Sequence, residues 1–219
     1  ESPEMQALLE KGNFLAINAH TARLAKEAAL QWAEDGLAAC QDVELIVAGI
    51  GGLHAGVALA EKLGVPFVEA PVIPLSPTAA FPGALFPPGV AKLGGIANRL
   101  SHHAVRQLMW QGFRAADSAA RREVLGLPPA PFFGPDRALR EAGQPVLCGV
   151  SPSVIPKPAD WGPHQHMTGY WFLEADAGWT PPSDLAEFLA AGPPPVAIGF
   201  GIMSNRKPEE VTRLLVAAV

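Results

Sequence analysis

The sequence predicts an α/β fold, and three observations carry that prediction. An apolar, β-branched run ends in a glycine cluster at "VELIVAGIGG", residues 43–52, and a helical pattern follows at once. A second apolar run, "PFVEAPV" (66–72), comes after that helix, so strand, crossover helix and strand make one βαβ unit. The same strand–glycine–helix start recurs in "PVAIGFGIM" (195–203) and the "KPEEVTRLLVAAV" that follows it.

Taken in order, residues 4–40 read as helix, rich in Ala, Leu, Glu and Lys, with Gly12-Asn13 interrupting the run. Leu24, Ala28, Trp32 and Leu37 predict its buried stripe. Residues 43–49 read as a strand buried on both faces. Residues 53–64 read as a helix stopped by Gly64 and Pro66, and 66–72 as the next strand. From Pro71 to Gly95 the chain predicts a long loop, kept extended by its prolines. A long helix over 96–127 follows, with Ile96, Leu100, Leu108 and Val124 on its apolar face and Met109 and Phe113 widening it. "PVLCGVS" (145–151) and "HMTGYWF" (166–172) predict two more strands. A short helix within 181–192, capped by Ser183 or Asp184 and by Gly192, sits in a proline-rich seam at 175–195. The final helix carries Pro208 near its first turn and acids at its positive end.

Composition narrows the function classes. The 219 residues are 49% hydrophobic and 17% charged, which supports a buried core and excludes a wholly disordered chain. A net charge of −5 with no Lys/Arg stripe argues against a nucleic-acid partner. Cys40 and Cys148 match neither a zinc spacing nor a redox pair and read as free thiols in a reducing cytoplasm. No apolar run reaches the roughly eighteen residues of a membrane span.

The glycine cluster at 49–52 invites a dinucleotide reading. Gly49 and Gly51 fit the first two glycines of G-x-G-x-x-G, and Glu69 falls where the ribose-binding acid belongs. The third position is His54, whose imidazole is expected to force the helix away from the strand. That disfavours NAD but keeps the turn as a ligand crevice, with His54 a candidate contact. Phe81, Phe86, Trp110 and Phe113 can line an apolar pocket around the proline-stiffened loop. Of the other histidines, adjacent His102 and His103 point about 100° apart and cannot easily share a ligand. His164 and His166 lack the companions of a metal site, so no metal is expected.

Residues 151–203 carry a more specific signal. Pro156, Pro158, Asp160, Trp161, His166 and Thr168–Phe172 lead into Trp179, Pro181, Pro182, then Gly199, Phe200, Gly201 and Met203. This run resembles that of UDP-sugar-dependent glycosyltransferases of the sterol 3-β-glucosyltransferase type. "FVEAPVIPLSPTAAFP" and "RREVLGLPP" resemble further family segments, so the likeness covers about residues 40–219. It implies a GT-B fold: an acceptor-binding Rossmann-like domain over 1–174, a linker over 175–195, and the start of a nucleotide-sugar-binding domain over 196–219. It also implies inverting, metal-independent transfer from a UDP-sugar, without a further cofactor, to a sterol-like or other lipophilic hydroxyl. Peripheral membrane association is compatible with such an acceptor.

By the same likeness Gly201, Ile202 and Ser204 lie at the donor diphosphate, with Ile202 where the family has Ser. The usual base, a histidine upstream, and the C-terminal donor motif are missing from these 219 residues. The chain therefore reads as a catalytically incomplete fragment, an expectation that its start at Glu1 and its helical end share. Two other readings remain: a non-catalytic acceptor-binding or inactivated module, and a Rossmann oxidoreductase.

Overall fold

The computed structural model describes residues 14–174, 178–199 and 207–218. The chain divides into two compact units, one of them Asn18–Trp171 and the other holding the residues on either side.

A parallel four-stranded sheet organises the larger unit: β1 (Ile46–Ala48), β2 (Phe67–Glu69), β3 (Val146–Cys148) and β4 (Gln165–Met167), side by side in that order. Ile46 lies opposite Phe67, Glu69 opposite Val146, and Leu147 opposite His166. Each strand has only three paired residues, fewer than the apolar runs predict. Pro66, Pro71 and Pro145 flank β2 and β3, and none of them can donate to a ladder. "HMTGYWF" leaves the sheet after Met167, where Gly169 takes a left-handed φ of 83°. Among the described residues of 195–199 there is no strand, and 200–206 lie outside them.

Helix α1 (Phe14–Ala39) leads in, α2 (Leu53–Leu63) connects β1 to β2, and α3 (Gly95–Glu123) follows the long loop. Gly64, at φ 69°, ends α2 and donates its N–H to the Ala60 carbonyl. A short helix that the sequence did not signal, α4 (Asp136–Glu141), precedes β3. Outside this unit lie α5 (Ser183–Ala190) and α6 (Pro208–Ala218). Pro182 and Ala191 flank α5, and the Asp184 carboxylate accepts from the neighbouring Leu185 N–H instead of capping the turn.

The core packs α2 onto β1 and β2 through Leu53, Val57, Ile46 and Phe67, with Leu125 closing it. Gly56 sets the spacing, since a Cβ there would come within 2.9 Å of both the Ala48 Cβ and the Phe67 ring. The expected outward push by His54 is absent. His54 and Gly56 are two residues apart and point to opposite sides of α2, so Gly56 meets the sheet while His54 turns to α3.

Two helix faces differ from the sequence reading. On α1 the buried stripe is Ala25, Ala29 and Ala33, while Leu24 and Trp32 stand exposed. Small side chains let α1 approach α2 and α3 closely, with Ala25 and Ala29 against Ala116. On α3 the buried residues include Asn98, Ser101, His102, Val105, Arg106 and Trp110, while Ile96 and Leu100 face out. Hydrogen bonds decide that face: Asn98 donates to the Ala79 carbonyl, Ser101 Oγ accepts from the Gly83 N–H, and His102 Nε2 bonds the Phe81 carbonyl. Bonds from these side chains to loop backbone outcompete the apolar periodicity, and only the Asn98 Oδ1 among these three side chains' bonding atoms is left buried without a partner among the described residues.

Candidate functional site

The crevice begins where β1 ends. Gly49 is extended and packs tightly below Ala70, whose carbonyl a Cβ would meet at 3.3 Å. Ile50–Gly52 then make one 3₁₀ turn, and α2 starts at Leu53. This places His54 in the first turn of α2, at the carboxyl end of a parallel strand, where open α/β sheets hold ligands.

Its ring stands edge-on to Trp110, centroids 5.0 Å apart, and tilted against Phe113 at 6.0 Å. Burial lowers its pKa to about 4, with Asp136 opposing and Arg106 adding to the shift. The imidazole is therefore neutral at pH 7. Its Nδ1 is buried without a hydrogen-bond partner among the described residues. That nitrogen has no solvent contact, so it is an unsatisfied polar atom within the crevice wall.

Behind His54 lies a buried ion cluster. The Arg106 guanidinium grips Glu69 with two bonds, 3.1 and 3.2 Å, and Asp136 with two more, 2.6 and 2.9 Å. Burial works against the Arg106 charge, but Asp136 and Glu69 overcome it and raise its pKa. Burial alone would raise the Asp136 carboxyl, yet the bonded guanidinium holds it below the ordinary range. Glu69 sits where a dinucleotide would need a ribose ligand, and here it is committed to Arg106. The dinucleotide reading loses its acid by this pairing.

Between α1, α2 and α3 the crevice narrows to a cavity of about 80 Å³, walled by Ala25, Ala29, Met109, Phe113 and His54. Pockets for drug-sized ligands run from roughly 300 Å³ upward, so this one takes an end of such a molecule and not the whole. Asp117 also lines it. Burial pushes the Asp117 carboxyl up to about 6, Arg121 opposing, and one of its oxygens lacks a partner among the described residues.

The other sequence-predicted residues are distributed differently. Trp110 is almost wholly buried and donates its Nε1–H to the Phe132 carbonyl, so it backs His54 from inside the fold. Phe81 stacks edge-on against His102, at 5.7 Å, and Phe86 is exposed on the loop. The structure brings His54, Trp110 and Phe113 together and sets Phe81 beside a different histidine. Gly201, Ile202 and Ser204 lie outside the described residues.

Sequence reasoning missed Arg106, Asp136 and Asp117. Asp117 carries a faint signal, four residues after Phe113 on the same helix face; the carboxylates of the ion cluster carry none, since they lie on separate elements.

The run at 151–172 acquires a physical role. Asp160 accepts from the Thr78 hydroxyl, the Ala79 N–H and Arg99, and those bonds hold its pKa down to about 2. It thereby fastens the long loop to α3. Thr168 donates to the Cys148 carbonyl and accepts from the Trp171 Nε1–H, fixing the chain as it leaves β4. Cys40 and Cys148 are both free.

Among the described residues no group of three or more His, Cys, Asp or Glu side chains is placed to hold a metal, and no helix is long and apolar enough to cross a membrane. No family model matches the chain. Comparison with curated proteins finds a sterol 3-beta-glucosyltransferase of Pichia angusta, 33% identical over 211 residues, covering 93% of this chain and 16% of that protein. One from Cryptococcus neoformans is 35% identical over 83% of this chain and 12% of its own length. One from Emericella nidulans is 32% identical over 98% of this chain and 15% of its own length. The chain thus spans less than a fifth of the curated relatives it matches.

Proposed function

The chain is sterol 3-beta-glucosyltransferase-like in sequence over nearly its whole length, and from that premise we propose that it is the acceptor-binding part of an enzyme moving glucose from UDP-glucose to a sterol-like hydroxyl. The likeness carries the proposal; the crevice at His54 supports it. Residues 1–174 then form the acceptor domain, 175–195 the linker and 196–219 the start of a donor domain in a GT-B arrangement.

In the reaction the acceptor oxygen attacks the anomeric carbon, the carbon–oxygen bond to UDP breaks, and the hydroxyl proton passes to a base. A histidine with a pKa near 4 is too weakly basic for that role at pH 7. His54 instead lines the crevice that takes one end of the acceptor, while Phe113 and Met109 cover the adjacent apolar carbons. The base lies elsewhere in the whole protein. On the likeness alone Gly201, Ile202 and Ser204 belong to the donor side, and the transfer proceeds without a metal or cofactor. Two free thiols suit a cytoplasmic setting.

A second reading, a non-catalytic acceptor-binding module, is favoured by Ile202, which offers no hydroxyl where the family pattern has Ser. Incubating the whole protein with UDP-glucose and a panel of sterols, with glucoside read by mass spectrometry, separates the two. We expect a sterol glucoside, and faster formation by Ile202→Ser. Sterol binding without transfer, restored by Ile202→Ser, establishes the inactive module. NAD binding with no UDP binding overturns both.

A further inference from the structure

The cavity between α1, α2 and α3 holds an ionisable group that sugar transfer does not use. Asp117 lines it together with Trp32, His54, Met109 and Phe113, in a wall otherwise made of small and aliphatic residues. Asp117 and Arg121 stand four residues apart on α3, a spacing that suits an ion pair. Arg121 is turned elsewhere: its Nη2–H bonds Glu61 of α2 at 2.6 Å and its Nε–H bonds the Pro128 carbonyl at 2.8 Å. No hydrogen bond from the described residues reaches Asp117, and one of its oxygens is enclosed without a partner.

The charges do not balance around this carboxyl. Burial raises its pKa to about 6, Arg121 opposing and Glu61 adding to the rise. At pH 7 it is still mostly ionised, so two carboxylates face one guanidinium that is already paired with Glu61. His54 supplies no positive charge, because burial lowers its pKa to about 4. A ligand hydroxyl would meet the hydrogen-bonding capacity of Asp117 and leave its charge uncompensated. An ammonium group meets both. The rings of Trp32 and Phe113 and the Met109 thioether are also the side chains that suit a cation and the carbons next to it.

We propose that this cavity binds an alkylammonium group, with Asp117 as its counter-ion and Trp32, Met109 and Phe113 around the adjoining carbons. A volume of about 80 Å³ takes the ammonium and a short alkyl stem. The cost of keeping Asp117 ionised in an apolar wall is then offset when the ligand arrives, which is how perturbed groups serve binding sites. This goes beyond the glycosyltransferase reading and does not depend on it, because amine binding is measured without sugar transfer.

Calorimetric titration of the chain with n-butylamine, n-butanol and butyrate tests the proposal. At pH 7.5 we expect the amine to bind about tenfold or more tightly than the alcohol, and butyrate more weakly than either. Asp117→Asn, which keeps the shape of the side chain, should bring the amine down to the level of the alcohol and leave the alcohol unchanged. Glu61→Gln should weaken amine binding severalfold, because it frees the Arg121 guanidinium to pair with Asp117. Lowering the pH from 7.5 to 5 should cost the amine about tenfold as Asp117 takes up its proton, while His54 stays neutral over that range. Equal affinity for amine and alcohol overturns the proposal, and so does amine binding that survives Asp117→Asn. Sterol glucoside formation by a protein that binds no amine overturns it too, and leaves the glycosyltransferase reading in place.

Discussion

Asp117 has a carboxyl oxygen in the cavity between α1 and α3 with no partner among the described residues, and burial raises its pKa from 3.8 to about 6. A group with a raised folded pKa contributes most below its unfolded value and loses that contribution as pH climbs through the folded one. Stability from this residue is therefore complete below about 3.8 and gone above about 6. Asp117→Asn should stabilise the chain at pH 8 by about 1–2 kcal/mol after screening by solvent, and the gain should vanish near pH 3.5. Urea unfolding at the two pH values measures it; an equal effect at both refutes the assignment. Trp110 teaches a related point. Its size and aromaticity match a ligand wall, but its position sends it inward to support His54.

At the scale of elements, the βαβ unit was legible because β-branched runs, glycine turns and Gly64–Pro66 each obey local rules. Helix existence was likewise legible, since α1, α2 and α3 follow from composition and length. The buried face of a helix was not. On α1 the alanine stripe beats the leucine–tryptophan stripe because close approach to two neighbouring helices favours small residues. On α3 side-chain bonds to loop carbonyls and amides rotate the apolar side outward. The glycine of close approach is also a property of packing: position 56, not 54, meets the sheet. Gly56→Val should force α2 off β1 and cost about 2–3 kcal/mol, read as a lower urea midpoint. Wild-type stability in that variant would show that the helix has room the contacts deny.

For the molecule as a whole, Arg106 ties β2, α3 and α4 together through Glu69 and Asp136. Removing the guanidinium leaves two buried carboxylates with no counter-charge from it. Arg106→Met should destabilise the chain by about 3–5 kcal/mol at pH 7, and less at pH 4.5, where the stranded carboxyls accept protons. A loss independent of pH would mean packing, not charge, is what Arg106 supplies. By itself the sequence determined the α/β class, the crevice at a strand's carboxyl end and the likeness to sterol glucosyltransferases, because periodicity, turn chemistry and motif spacing are written along the chain. Only the tertiary structure decided that Glu69 serves Arg106, that His54 stays neutral against Trp110, and that the apolar side of α3 faces outward. Those outcomes depend on which groups from distant segments reach hydrogen-bonding or van der Waals distance, and on the water their meeting excludes.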